Sequence, residues 1–309
     1  MDIQNELNER SGFKNLELLA RQVVEGYISG MHKSPFHGFS AEFAEHKIFN
    51  PGESTRHIDW KLYAKTDKLY TKRYDDETNL RCHLIIDNSL SMHYPKRNEQ
   101  SLKEFNKIGF CALAAASIMN ILKKQRDAVG LSIYSNEYEY YAPEKGSDRH
   151  HHMLLDRLSQ MVSQASSTNR TDTIKNLHEI AQNIKRRSLV VLFTDMFQDD
   201  VDEQQLFEAL RHLKYNKHDV VLFHVYDDRT ERSFYFDNEP IRFTDVETGE
   251  QLQLYPDQVR DAYKEQIGKY FTELKMRCGQ YKINYVPIDI AQDFNVLLTT
   301  FLLERQRFI

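Results

Sequence analysis

Residues 82–92, Cys82-His83-Leu84-Ile85-Ile86-Asp87-Asn88-Ser89-Leu90-Ser91-Met92, join a short apolar run to a loop rich in side-chain oxygens. An unbroken apolar run that ends in small polar residues reads as a parallel strand covered on both faces; a half-exposed strand would alternate. The loop at its carboxyl end then presents Asp87, Ser89 and Ser91. One carboxylate and two hydroxyls, at alternating positions, suit a small hard cation such as Mg²⁺, which takes oxygen ligands and keeps several waters. Taken by itself the triplet is better read as a cap for the following helix, so the rest of the chain has to decide.

From Cys82 onward, strand patterns (84–86, 129–134, 138–141, 189–193, 220–225 and 283–287) alternate with helical ones (about 102–123, 151–162, 173–185, 203–213 and 256–276). Such alternation predicts right-handed crossovers, a mostly parallel sheet and helices on both faces, which is a three-layer α/β fold. Only Ser135-Asn136-Glu137 separate the second and third strands, too few for a crossover, so the third is expected as an antiparallel edge strand. A hairpin turning near Thr248-Gly249 is expected between Phe234 and Leu254. Open parallel sheets bind ligands at the carboxyl ends of their strands, where strand order reverses. There the run Leu189–Phe193 ends in Thr194-Asp195, a second carboxylate at the same rim. The loop STNRTDTIKNL, ahead of the helix feeding that strand, adds Thr168, Thr171, Asp172 and Thr173.

The first quarter is organised differently. A helix is expected from Leu16 to Ile28, then an irregular segment punctuated by Gly30, Pro35, Gly38, Pro51 and Gly52, a short helix around 58–64 and a strand at 69–74. The expected division is an extension, 1–79, packed on a main domain, 80–309.

Composition removes several function classes. A formal net charge of -5 argues against duplex nucleic-acid binding. Trp60, Tyr63, Tyr70 and Tyr74 interleave with lysines as in single-strand binders, but Asp67, Asp75, Asp76 and Glu77 largely cancel that charge. No apolar run approaches the roughly 20 residues that span a bilayer, and MDIQNELNER is too polar for a signal peptide, so a cytoplasmic protein is expected. Cys82, Cys111 and Cys278, odd in number and unpaired in spacing, read as core thiols. Neither G-x-x-x-x-G-K nor G-x-G-x-x-G occurs. Arg149-His150-His151-His152 reads as a solvated helix start, since consecutive helical residues point in different directions.

These residues resemble a known arrangement. D-x-S-x-S after the first strand, a threonine in the loop before the fourth strand's helix, and T-D closing that strand are similar to the metal-ion-dependent adhesion site of von Willebrand factor type A domains. On that resemblance Ser89, Ser91 and Thr171 offer hydroxyls, while Asp87 and Asp195 act directly or through waters. Thr171 is preferred to Thr168 because T-D followed by Leu177 fits the usual helix start; Arg170 stands where the family generally has glycine. Upstream, FNPGESTRHIDWKLYAKTDKLYTKRYDDE, with Gly52, Arg56, Ile58-Asp59-Trp60, Ala64, Lys72, Tyr74 and Glu77, is similar to the signature preceding this domain in the bacterial family called domain of unknown function fifty-eight; Glu42-Phe43 and Glu247–Glu250 match it too.

The resemblance implies an adaptor without catalysis that binds Mg²⁺, with Mn²⁺ as a substitute. It also implies a partner protein supplying a carboxylate to the metal, and a MoxR-type AAA+ ATPase acting with the adaptor in assembly or maturation of other proteins. Family members often carry amino-terminal membrane spans, and this chain reads as a short form without one. Arg56 and Asp59 are read as a structural ion pair beside Trp60. Two alternatives stay open. One is a metal-dependent phosphate-ester hydrolase, against which Ser89 stands where a haloacid-dehalogenase-like enzyme has its general acid. The other is a structural domain whose metal site has degenerated, with Arg170 crowding the threonine loop.

Overall fold

The computed structural model describes residues 16–31, 46–48, 60–66, 69–72, 80–96, 105–135, 138–163, 173–196, 203–215, 217–237, 239–244 and 249–308. In chain order the elements are α1 (Leu16–Met31), β1 (His46–Ile48), α2 (Trp60–Thr66), β2 (Tyr70–Lys72), β3 (Arg81–Asp87), a 3₁₀ turn (Leu90–His93), α3 (Lys107–Lys124), β4 (Ala128–Tyr134) and β5 (Tyr138–Lys145). There follow α4 (Asp148–Ser163), α5 (Thr173–Asn183), β6 (Leu189–Thr194), α6 (Glu203–Tyr215), β7 (Asp219–Tyr226), a π-helical turn (Asp228–Arg232), β8 (Ile241–Thr244), β9 (Gln251–Leu254), α7 (Pro256–Gln280), β10 (Asn284–Asp289) and α8 (Asn295–Phe308). They form two compact units, Met1–Tyr27 with Leu80–Ile309, and Ile28–Asn79. In the smaller unit β1 pairs antiparallel with β2, His46 opposite Lys72.

The larger unit is built on one six-stranded sheet, ordered β10-β7-β6-β3-β4-β5. Every pairing is parallel except β4 with the edge strand β5, which is antiparallel as its short connection requires. The apolar runs are central strands: β3 is buried from Cys82 onward and β6 throughout. Alternate residues face opposite layers. Ile85, Val190, Leu192, Val220 and Leu222 pack in one core cluster with Leu177 and Ile180 of α5, Leu210 and Leu213 of α6, and Leu274 of α7. Helix α3 packs against α4 and α8, and from Ile108 to Met119 it is buried on every side, as a helix inside a layer must be. The fold is therefore the three-layer α/β arrangement of von Willebrand factor type A domains.

Local chemistry sets the boundaries. Helix α3 starts five residues later than the periodicity suggests because the Asn106 side chain accepts the Gly109 N–H at 2.8 Å and caps it there. The expected hairpin pairs β8 with β9, Ile241 opposite Leu254. Helix α8 was not anticipated. Arg305 reaches from it to Asp127, donating from Nε at 2.8 Å, and Asp127 also accepts the Leu80 N–H at 3.3 Å. The histidine run departs from expectation: only His152 is exposed, while His150 and His151 are buried, and His150 Nε2 donates to the Val129 carbonyl at 2.9 Å. Capping β4 in this way outweighs leaving an imidazole in water.

One polar cluster lies inside the sheet. His83 Nδ1 meets Glu144 Oε1 and His83 Nε2 meets Ser132 Oγ, both at 2.7 Å. Hydroxyl, imidazole and carboxylate in line is the order of a nucleophile with its base. His83 and Ser132, however, expose no surface, so no substrate reaches them, and the cluster clamps β3, β4 and β5 together. Gly130 makes room for it, because a Cβ there would sit 2.5 Å from His83 Nδ1 and 2.9 Å from the Ala142 carbonyl oxygen.

Two stability predictions follow from this packing. Gly130→Ala should lower unfolding free energy by about 1–3 kcal/mol through overpacking, and part of that cost should vanish in a His83→Ala background, as denaturant titration of the double-mutant cycle would report. Arg305→Ala, which strands the Asp127 carboxylate inside, should cost about 3–5 kcal/mol; a loss below about 1 kcal/mol in the same titration would show that solvent replaces the arginine.

Candidate functional site

Strand order reverses at β3: the next strand in sequence, β4, lies on one side and β6 on the other. Ile86 pairs with Phe193 across β3 and β6, so Asp87, closing one strand, and Thr194-Asp195, closing the other, emerge side by side. Both aspartates are buried, at 4% and 1% exposure. The Asp87 carboxylate is held at both oxygens: Oδ1 accepts the Ser89 N–H at 2.9 Å and Oδ2 accepts the Thr194 hydroxyl at 2.8 Å. Ser89 is extended and makes no side-chain cap, so its hydroxyl lies instead 3.0 Å from the Ser91 hydroxyl. The simple capping role is therefore not what the triplet does.

The Asp195 turn is also pinned. Met196 sits in the left-handed region at φ 57°, its N–H donates to Thr194 Oγ1 at 3.1 Å, and its carbonyl accepts from the Tyr270 hydroxyl. A non-glycine residue in that region carries strain, and such turns cluster at functional sites. Beside Asp87, Asn88 fixes the loop, with its N–H on the Tyr134 carbonyl at 2.7 Å and its amide on Glu139 at 3.1 and 3.2 Å.

The electrostatics are those of two acids with too few cations. Burial, then the negative charge of Asp195, push the Asp87 carboxyl up to about 6, against the bonds from Ser89 and Thr194. Burial and then the Asp87 charge raise the Tyr134 phenol well above its usual range, against the hydroxyls of Thr194 and Thr173. Asp195 has a counter-ion: Lys107 Nζ is 2.8 Å from its Oδ2 and 2.5 Å from Glu231 Oε1. Burial opposes the Lys107 charge, yet Asp195 and Glu231 outweigh it and hold its pKa above the ordinary lysine value.

Four of the five residues singled out as metal ligands, Asp87, Ser89, Ser91 and Asp195, thus share one rim. Thr171 lies outside the described residues, as do Thr168 and Asp172; Thr173, buried at the start of α5, is near Tyr134. Arg56 and Asp59 are outside too, and Trp60 opens α2. Lys107 and Glu231 were missed. A lysine at the first residue of a helix runs against the helix dipole, and that misfit is the signal that could have found it. Among the described residues no three His, Cys, Asp or Glu side chains are grouped to hold a metal ion. What the rim offers is two carboxylates and two hydroxyls, an all-oxygen donor set that fits Mg²⁺, and the raised Asp87 carboxyl marks negative charge that a cation would stabilise. Among the described residues no helix is long and apolar enough to cross a membrane.

Comparison with known proteins gives the following. Uncharacterised proteins of Mycobacterium bovis and Mycobacterium tuberculosis are 23% identical over 219 residues, 71% of this chain and 65% of theirs. The chain thus spans just under two thirds of the length of the curated relatives it matches. Among solved structures, the conserved hypothetical protein BatB of Bacteroides thetaiotaomicron is similar over 74% of this chain and 98% of its own, with TM-score 0.43 and 11% identity. An aerotolerance-related membrane protein of Bacteroides fragilis covers 74% and 99%, with TM-score 0.46 and 13% identity. The profile of the family described as "Protein of unknown function DUF58" matches residues 45–270. The match takes in well over half of the chain, with five of the sheet's six strands and the switch-point rim, and the chain belongs to the DUF58 family.

Proposed function

We propose that the rim between β3 and β6 binds one divalent cation of the Mg²⁺ class and uses it to hold a carboxylate of a partner protein, without catalysis. Asp87, Ser89, Ser91 and Asp195 would hold the ion, with Thr171 from the loop before α5. The single observation carrying this reading is that two buried aspartates from sequence-distant strands meet at the switch point of the sheet beside a pair of hydroxyls. When bound, the cation would supply an electrophilic centre for an oxygen ligand. The chain's own residues do the rest: the Asp87 bonds to Ser89 and Thr194 fix the carboxylate, and the pinned Met196 turn fixes Asp195. An acidic segment is the partner chemistry that fits, and the family resemblance adds a MoxR-type AAA+ ATPase as the associated machine.

Against a hydrolase, Ser89 occupies the position where a general acid is needed, and a serine hydroxyl does not protonate a leaving group at neutral pH. The degenerate-site reading has one observation in its favour, the Lys107 ammonium already seated on Asp195.

Calorimetry should detect Mg²⁺ and Mn²⁺ binding to the native chain and at least a tenfold loss in Asp87→Ala, with no turnover of model phosphate esters by either. Asp87-dependent turnover would mean an enzyme, and heatless titrations of the native chain would mean a structural domain. Asp87→Asn, which removes one of two crowded buried charges, should raise the thermal midpoint in chelator by about 2 °C or more while abolishing stabilisation by Mg²⁺. A lower midpoint in chelator would contradict the charge argument.

A further inference from the structure

Lys107 stands out among the described side chains. It is the first residue of α3, where the exposed N–H groups and the helix dipole favour an anion, and it is fully buried. Its backbone N–H donates to the Tyr94 carbonyl at 3.0 Å, which fixes where the side chain departs. Its ammonium bridges Asp195 Oδ2 at 2.8 Å and Glu231 Oε1 at 2.5 Å. Glu231 is itself anchored. Its Oε2 accepts the Asp227 N–H at 2.7 Å, and its carbonyl accepts the Tyr263 hydroxyl of α7 at 2.6 Å. The turn that carries it, Asp228–Arg232, is π-helical, a conformation that often marks functional positions.

Counted as ionised, Asp87, Asp195 and Glu231 with Lys107 sum to minus two, the charge that one divalent cation balances. The ammonium therefore does part of a metal's work from inside the chain: it satisfies one oxygen of Asp195 while Asp87 keeps only neutral donors among its described partners. An external cation must bind Asp195 in competition with that fixed positive charge. In a buried site charges a few ångströms apart are weakly screened, so the ammonium is placed to shift metal affinity by tenfold or more.

We infer that Lys107 is a resident counter-ion that sets the affinity of the rim for its divalent cation, holding it weak and exchangeable, and that Glu231 moderates this effect by sharing the ammonium. The inference rests on the cation-binding reading above. Lys107 is here a positioning residue for the site, acting through Asp195. Removing the ammonium takes away the fixed positive charge that competes with a metal for Asp195, and removing the Glu231 charge concentrates the ammonium on Asp195. The two substitutions therefore shift affinity in opposite directions, which loss of a merely structural ion pair would not produce.

The test is Mn²⁺ titration, by calorimetry and by thermal melting in chelator and in Mn²⁺, of the full chain, Lys107→Met and Glu231→Gln. The expected result is at least tenfold tighter Mn²⁺ binding in Lys107→Met, with a lower midpoint in chelator that Mn²⁺ restores, and at least tenfold weaker binding in Glu231→Gln. Native-chain binding that is unchanged or weaker in Lys107→Met overturns the inference and leaves the cation reading standing. If Lys107→Met does not fold even in Mn²⁺, Glu231→Gln decides: weaker binding supports the inference, equal or tighter binding overturns it. Absence of binding in the native chain with a gain in Lys107→Met would support the counter-ion role and sink the cation reading for the native protein. Absence in both would sink the two together.

Discussion

The parallel ladder between β3 and β6 is the constraint on which the rest depends. It forces two strands more than 100 residues apart in sequence (Asp87 and Thr194 are separated by 107) to end at the same height, one closing on Asp87 and the other followed at once by Asp195. Burying two carboxylates together is costly unless charge or hydrogen bonds compensate. Everything around the rim answers that cost: the Ser89 N–H, the Thr194 hydroxyl, the Lys107 ammonium and, on the proposed reading, a cation. The layers of helices keep water out and make the charges matter.

The same logic explains what surrounds the site. Helix α3 is buried on all sides from Lys107 to Met119, so its first residue cannot place an ammonium in solvent, and the charge has to end on acids. Those acids come from two strands' ends, Asp195 after β6 and Glu231 after β7. Through the Tyr263 bond to the Glu231 carbonyl, the long helix α7 is mechanically continuous with the rim. At the other end of the sheet the clamp of His83, Ser132 and Glu144 makes no use of solvent and binds the edge strand to the centre. The polar residues of the sheet thus divide into a closed structural group and a group at the rim.

Much of this was legible in the sequence, for a physical reason. Apolar strands ending in D-x-S-x-S and T-D are central strands with a rim, because only covered strands lack alternation, and a three-residue link can only make a hairpin. The fold and the meeting of Asp87 with Asp195 follow. The rest depends on tertiary contacts that periodicity does not encode. Helix α8 mixes exposed Val296 and Leu303 with buried Leu297, Leu298 and Phe301, which blurs its apolar face. His150 and His151 are polar by type and buried by the backbone and packing they meet. Glu231 acquires its role only because β7 delivers it beside a lysine 124 residues earlier.

The central claim is that both aspartates serve one cation, and anomalous scattering from crystals grown with Mn²⁺ tests it most directly. The account predicts a single strong peak at the rim, between the Asp87–Ser91 loop and Asp195. Density elsewhere on the molecule, with none at the rim, would contradict it.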